Sequence, residues 1–133
     1  MTDQLRETFN KNLEILVSED PMAPTSTAGV AFVINKALIS PMRITAHELV
    51  PGRAFLLKIK WLESCEMSIL NIYTPVNRAA QLQFWQTIEN KRHRKSFPRP
   101  NFVLGDFNIT EEAIDRAPLW LDNQAASEAL RNI

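Results

Sequence analysis

Two side chains suited to phosphate chemistry stand two positions apart in the string Gly105-Asp106-Phe107-Asn108. A carboxylate such as Asp106 can orient or deprotonate a water, and an amide such as Asn108 can stabilise charge developing on a phosphoryl group. Gly105 ends a strand where a side chain would obstruct a sharp turn or a close ligand approach. Phe107, between the two polar residues, can point back into a core. The competing reading is an ordinary turn in which Asp106 and Asn108 bond their own backbone, and a short G-D-x-N string alone does not separate the two. Tyr73, 33 positions before Asp106, is the other candidate.

What brings Tyr73 and Asp106 together is the unit around them. Residues 67–73 (MSILNIY) read as a strand running out into Thr74-Pro75. Ala80 or Gln81, Leu82, Phe84, Trp85 and Ile88 then suit an amphipathic helix to about Lys91, with Asn77 as its cap. Phe97-Pro98-Arg99-Pro100 stops it, and residues 102–104 form a short β-type run. Parallel strands need a crossover of a dozen or more residues, usually helical. If the two strands share a sheet, Tyr73 and Asp106 both lie at its carboxyl edge, where ligand sites of open α/β sheets gather.

The preceding segments read as further strands. Gly29–Asn35 (GVAFVIN) is apolar on both faces, the pattern of a central strand covered on both sides. Met42, Ile44 and Ala46 alternate with Arg43, Thr45 and His47. After the Pro51-Gly52 turn, Phe55, Leu57, Ile59 and Trp61 alternate with Leu56, Lys58 and Lys60. Residues 63–66 are polar enough to turn the chain. At the start, Thr2 can cap a helix with Leu5, Phe9 and Leu13 on one stripe, and residues 19–27, with two prolines, read as a surface connection. Helical stretches are expected over residues 110–116 and 123–133.

The chain of 133 residues suits one domain, residues 1–133. Lys plus Arg and Asp plus Glu both number 15, which argues against a strongly basic nucleic-acid module but leaves room for a local patch. A lone cysteine, Cys65, excludes an intramolecular disulfide and a multi-cysteine zinc site. The longest apolar run, residues 28–34, is far too short to cross a bilayer. No charged-then-apolar leader precedes Asp3 and Arg6, so the expected location is intracellular, cytoplasmic or nuclear, and not secreted. There is no Gly-rich phosphate loop, nucleophilic-serine elbow or zinc-ligand spacing.

Other features have two readings each. The run 91–95 (KRHRK) can touch DNA phosphates or be a solvated helix end favoured by the helix dipole. Glu111, Glu112 and Asp115 can bind a metal or complement the first turn of a helix. Trp61, Trp85 and Trp120 can stack bases, although Trp61 and Trp85 fall on apolar stripes that suit a core. Cys65 has no nearby base, and His47 and His93 fit no catalytic motif.

The succession GVAFVIN, LNIYTP and NFVLGDFN resembles the endonuclease/exonuclease/phosphatase superfamily, the DNase I-like fold. The tail GDFNITEEAIDRAP is similar to the endonuclease domains of fungal non-LTR retrotransposons. The resemblance implies an α/β fold, a sandwich of two β-sheets flanked by helices, with Mg²⁺-dependent phosphodiester hydrolysis and DNA as substrate. Asp106 then matches the aspartate that orients or activates water, Asn108 the asparagine that contacts the scissile phosphate, and Tyr73 the tyrosine whose hydroxyl supports that phosphate. Where the family places asparagine after the proline of the tyrosine motif, this chain has Val76. Asn77 follows one position later, as a substrate-binding candidate or a helix cap.

The family's metal-binding glutamate and its closing aspartate-histidine pair find no match here, and no metal ligand is identified in this chain. The expectation is therefore a central fragment of the domain, truncated at both ends, with open sheet edges through which it can associate. Two functions follow as alternatives. One is a fragment of a DNA endonuclease, weakly active or inactive in isolation. The other is a non-catalytic remnant that serves in binding or assembly, or has no function.

Overall fold

A computed structural model describes residues 12–21, 29–62, 65–108 and 124–132. Among these described residues, six strands and two helices follow in the order β1 (Leu13–Glu19), β2 (Gly29–Asn35), β3 (Ile44–Val50), β4 (Ala54–Leu62), β5 (Cys65–Tyr73), α1 (Arg78–Arg94), β6 (Phe102–Asp106) and α2 (Gln124–Arg131). β1 and β2 make an antiparallel pair. The other strands form one mixed sheet in the order β3-β4-β5-β6, antiparallel through β5 and parallel between β5 and β6. No helix among the described residues is long and apolar enough to cross a membrane.

The four-stranded sheet is covered on both faces, and its central strand shows it. Ala54, Phe55, Leu56 and Leu57 of β4 are consecutive and all buried. Ala54 and Leu56 join Leu70 and Ile72 of β5 beneath Phe84, Trp85 and Ile88 of α1 and Ala126 of α2. Leu57 and Ile59 face the other way and pack with Ile34, Leu16 and Phe32 of the β1–β2 pair. Phe55 belongs to that second layer, its ring 5.6 Å from that of Phe32. The order of layers is thus two-stranded sheet, four-stranded sheet, helices.

Helix α1 forms where the sequence indicates. Asn77 Oδ1 accepts the backbone N–H groups of Ala79 (2.9 Å) and Ala80 (3.2 Å), two of the four donors a helix start leaves over. The buried positions 81, 84, 85, 88 and 92 make one helical stripe. Burying each large apolar member stabilises the fold by about 1.5–3 kcal/mol, so this stripe holds the helix on the sheet.

Parallel pairing is pinned at both ends of β6. At the start, Asn101 Oδ1 accepts from Ser68 N (2.7 Å), while Asn101 N donates to Ser68 O (2.9 Å). At the other end Thr74 N donates to Asp106 O (2.9 Å).

Several expectations change. Leu13 does not sit on a helical stripe but opens β1, whose β-branched Ile15 and Val17 suit a strand; Thr2, Leu5 and Phe9 lie outside the described residues. β2 is not a central strand covered on both sides. Among the described residues it pairs with β1 alone, and its burial alternates, with Val30 and Ile34 inward and Val33 58% exposed. Met42 falls in a 3-10 turn, Pro41–Arg43, before β3 begins.

Trp61 is not core. The pairing skips between Lys60 and Leu62, so Trp61 lies at a bulge that takes it off the alternation, and it is 57% exposed. Trp85 is core, and Trp120 lies outside the described residues. The run 91–95 is not uniformly solvated. Arg92 is buried, gripping both carboxylate oxygens of Glu89 (2.7 and 3.1 Å) and donating to the Phe97 carbonyl. This pairing with Arg92 is the main reason the Glu89 carboxyl lies below its usual range. The expected helix over 110–116, with Glu111, Glu112 and Asp115, lies outside the described residues, as do residues 22–27 of the expected connection.

Candidate functional site

Register decides the geometry. In the parallel ladder of β5 and β6, Tyr73 is the partner of Asp106, at the carboxyl end of both strands. Side chains alternate along a strand, and those of Leu70, Ile72 and Val103 face the helices. Tyr73 and Asp106 therefore project on the opposite face, the side of β1 and β2. Asn71, on that same face, donates its Nδ2 to the Ala31 carbonyl of β2 (3.0 Å). Tyr73 is half-buried and Asp106 exposed.

Gly105 permits this edge to form. Its φ is +130°, and a Cβ added there would lie 1.9 Å from the Ile72 carbonyl oxygen of β5. The expected obstruction is thus real, and its source is the neighbouring strand's backbone. β6 lies so close to β5 at this point that only glycine fits.

Beyond Gly105 the turn is tied by polar contacts. Asp106 Oδ1 accepts the N–H of Asn108 (3.1 Å), the short-range bond of an ordinary Asx turn. Asn108 has φ +48°, a left-handed conformation asparagine tolerates. Its Nδ2 donates to the Thr74 carbonyl (2.8 Å), and its own carbonyl accepts from Gln81 Nε2 of α1 (2.9 Å). One amide hydrogen of Asn108 and the Oδ2 of Asp106 remain for a ligand. Phe107 packs against the core beneath the helices, as its place between two polar residues suggests.

Three contributors escaped the sequence reading. Thr74 is fully buried, and its hydroxyl proton is shared between the carbonyls of Asp106 (3.1 Å) and Phe107. Gln81 is buried and joins α1 to the turn. Both stand where sequence alone gives a weak signal: a threonine directly after Tyr73, and one polar residue within an apolar stripe. The third is Arg53, in the turn from β3 to β4. Its Nη1 donates to the Tyr73 carbonyl (3.4 Å), and its guanidinium carbon lies 5.2 Å from the Tyr73 ring centroid.

The remaining candidates do not join this edge. Asn77 spends its side-chain oxygen on the cap of α1. His47 stacks on Phe97, with ring centroids 4.7 Å apart, and burial with nearby Lys95 and Lys58 holds its pKa below the ordinary value. His93 binds Glu89 on the surface of α1. Cys65 is exposed. A cleft of about 520 Å³ lined by Leu38, Arg43, Lys60 and Trp61 lies at the other end of β4.

A magnesium ion takes one or two carboxylates with water and substrate phosphate. Asp106 is a single carboxylate of that kind, with Oδ2 its one uncommitted oxygen. Among the described residues, no three acidic, histidine or cysteine side chains gather as a metal-binding group.

No family model matches the chain, and no curated protein matches it. Among solved structures, it is similar to the endonuclease domain of TRAS1, a telomere-specific non-LTR retrotransposon, with a TM-score of 0.55 at 13% identity. The similarity covers 92% of this chain and 51% of that one, so the chain spans about half the length of its neighbour. At this identity the likeness is one of fold: a mixed α/β arrangement of two sheets and helices, matching part of a DNase I-like sandwich.

Proposed function

We propose that this chain carries part of a phosphodiester-cleaving site, with DNA as the substrate. The observation that supports it most is the pairing of Tyr73 with Asp106 at the carboxyl edge of β5 and β6, with Asn108 fixed beside them. In this reading Asp106 Oδ2 orients the attacking water and accepts its proton as the oxygen attacks phosphorus. The bond from phosphorus to the leaving oxygen breaks, and that oxygen takes up a proton from solvent water. The uncommitted amide hydrogen of Asn108 and the Tyr73 hydroxyl donate to the non-bridging oxygens, where charge grows.

Mg²⁺ would supply charge neutralisation at the phosphoryl oxygens when bound, held by ligands other than the Asp106 oxygen that serves the water. Groups that complete the site come from beyond the described residues. The setting is intracellular, where DNA is available. The outer edges of β3 and β6 have no strand partner among the described residues, and Phe102 and Leu104 on β6 are exposed, so the chain also associates through these edges.

The test is nicking of supercoiled plasmid in Mg²⁺ by the purified chain and by Asp106→Ala. Nicking by the parent that falls at least 10²-fold in the variant supports the reading. Equal nicking by both overturns the role of Asp106. No nicking by either favours the alternative, a non-catalytic remnant that serves in binding or assembly or has no function.

A further inference from the structure

A bulge turns one tryptophan out of the sheet at the end of β4 remote from Tyr73 and Asp106. Strict alternation would lay Trp61 beside Ile59, on the face that packs against β1 and β2. The skip between Lys60 and Leu62 breaks the alternation there and leaves the indole exposed. Bulges of this kind re-aim side chains at functional edges. The ring forms one wall of the cleft of about 520 Å³, whose lining also includes Leu38, Ile39, Arg43, Ile59 and Lys60. That volume lies in the range of ligand sites, about 300–1,000 Å³.

The wall opposite Trp61 is built. Asn35 Oδ1 accepts from Ala37 N (2.9 Å), and the Asn35 carbonyl accepts from Leu38 N and Ile39 N (both 3.0 Å). Arg43 N donates to the Ser40 carbonyl (2.9 Å). Ile39 and the buried Ile59 anchor this segment in the apolar layer between the two sheets.

Charge chooses the occupant. No acidic side chain among the described residues lines the cleft, whereas Arg43 and Lys60 both do. Neither forms an ion pair with a described carboxylate. Glu66, the partner of Lys60 across the ladder, is taken by Lys58 at 2.6 Å. In a chain without net charge, this is a local cationic patch beside an exposed ring. An apolar floor, a ring to stack on and two cations suit a planar base with phosphates on either side.

We infer that this cleft binds an unpaired nucleotide of a single-stranded nucleic acid, its base stacked on Trp61 and its flanking phosphates held by Arg43 and Lys60. Bases within a duplex keep their faces stacked on one another, so the ring selects a single strand. Trp61 lies seven residues along β4 from Ala54, about 23 Å at roughly 3.3 Å per residue. Ala54 pairs with Ile72, next to Tyr73, so this contact is separate from the Tyr73–Asp106 edge and does not depend on the phosphodiester reading.

The test is fluorescence anisotropy of a fluorescein-labelled oligothymidylate with the whole chain in EDTA, over a series of salt concentrations. Trp61→Ala is expected to weaken binding about tenfold, and Trp61→Phe, which keeps a ring, by no more than about threefold. Arg43→Gln and Lys60→Gln are each expected to lower the slope of log affinity against log salt by about 0.7, the single-strand value per phosphate. Arg131→Gln removes an exposed cation on α2, across the four-stranded sheet, and is expected to change neither affinity nor slope. Should Trp61→Ala melt below the parent, the slopes of the two glutamine variants at Arg43 and Lys60 decide alone.

Equal affinity of the parent and a stably folded Trp61→Ala overturns the inference. So does an absence of oligothymidylate binding, or a response to Arg131→Gln as large as those to Arg43→Gln and Lys60→Gln. Displacement by thymidine monophosphate at a lower nucleotide concentration than by unlabelled oligothymidylate overturns it in favour of a free nucleotide. Sedimentation that shows a dimer dissociated by Trp61→Ala overturns it in favour of a second copy of this chain.

Discussion

Gly105→Ala puts the close approach of β6 to β5 to the test. At φ +130° a side chain is in a region that essentially only glycine occupies, at a cost of about 1–3 kcal/mol. Alanine's Cβ would also stand 1.9 Å from the Ile72 oxygen and 2.8 Å from its carbonyl carbon, both backbone atoms with no rotamer to move away by. Relief requires β6 to draw back from β5, which weakens the ladder at Ile72 and Gly105 and the bond from Thr74 N to Asp106. Each hydrogen bond lost there adds about 0.5–1.5 kcal/mol.

The expected loss is about 2–5 kcal/mol, large against the roughly 5–15 kcal/mol that holds a domain together. Urea and thermal melts of the isolated chain read it directly, without ligand or metal. Gly29→Ala is the control. Its Cβ meets only the Ser18 carbonyl oxygen at 3.7 Å, an ordinary contact, so its midpoint should move by no more than about 0.5 kcal/mol. A Gly105→Ala variant as stable as Gly29→Ala would refute the reasoning. It would mean that β5 and β6 do not meet in this register and that Tyr73 and Asp106 are not neighbours.

Two further outcomes follow from contacts away from the reacting groups. Thr74→Val keeps the shape of a fully buried side chain and deletes the proton shared by the Asp106 and Phe107 carbonyls. Because Thr74 N still serves Asp106 O, the expected loss is about 1–2 kcal/mol in a urea melt; no loss would remove Thr74 from the support of the turn. His47 predicts a pH effect. Its folded pKa is below the ordinary value of 6.5, through burial first and then Lys95 and Lys58, so the unfolded chain takes up the proton first. Stability is then full above pH 6.5 and declines as the pH falls through it. Urea midpoints taken from neutrality down to about pH 5.5 should fall in the parent and fall less in His47→Gln. Equal slopes would refute it. Glu89, whose stabilising effect is lost only below the ordinary carboxylate range, stays out of this window.

What sequence disclosed about the site and what it hid have one physical cause. Periodicity and connection length set residues 67–108 as strand, helix and parallel strand, because a helix stripe and a crossover are local properties of the chain. Those alone are enough to bring Tyr73 and Asp106 to one edge. Gly105 was legible too, because a glycine closing a strand marks a close approach, although nothing local says which atoms approach. Properties that depend on a distant segment were not legible. β2 reads apolar on both faces whether or not a layer covers its outer side, and Val33 is exposed because none of the described residues does so. Trp61 obeys the alternation until a bulge turns it out. Arg53 gives no local signal, since its meaning comes from Tyr73, twenty positions later, and from Ser18 holding the turn at Gly52 just before it. A row of neighbours across a sheet, here Arg53, Tyr73 and Asp106, is written in three segments at once. Gly105→Ala should therefore disrupt the β5–β6 ladder, and with it the place of Asp106, while Arg53 keeps its place opposite Tyr73.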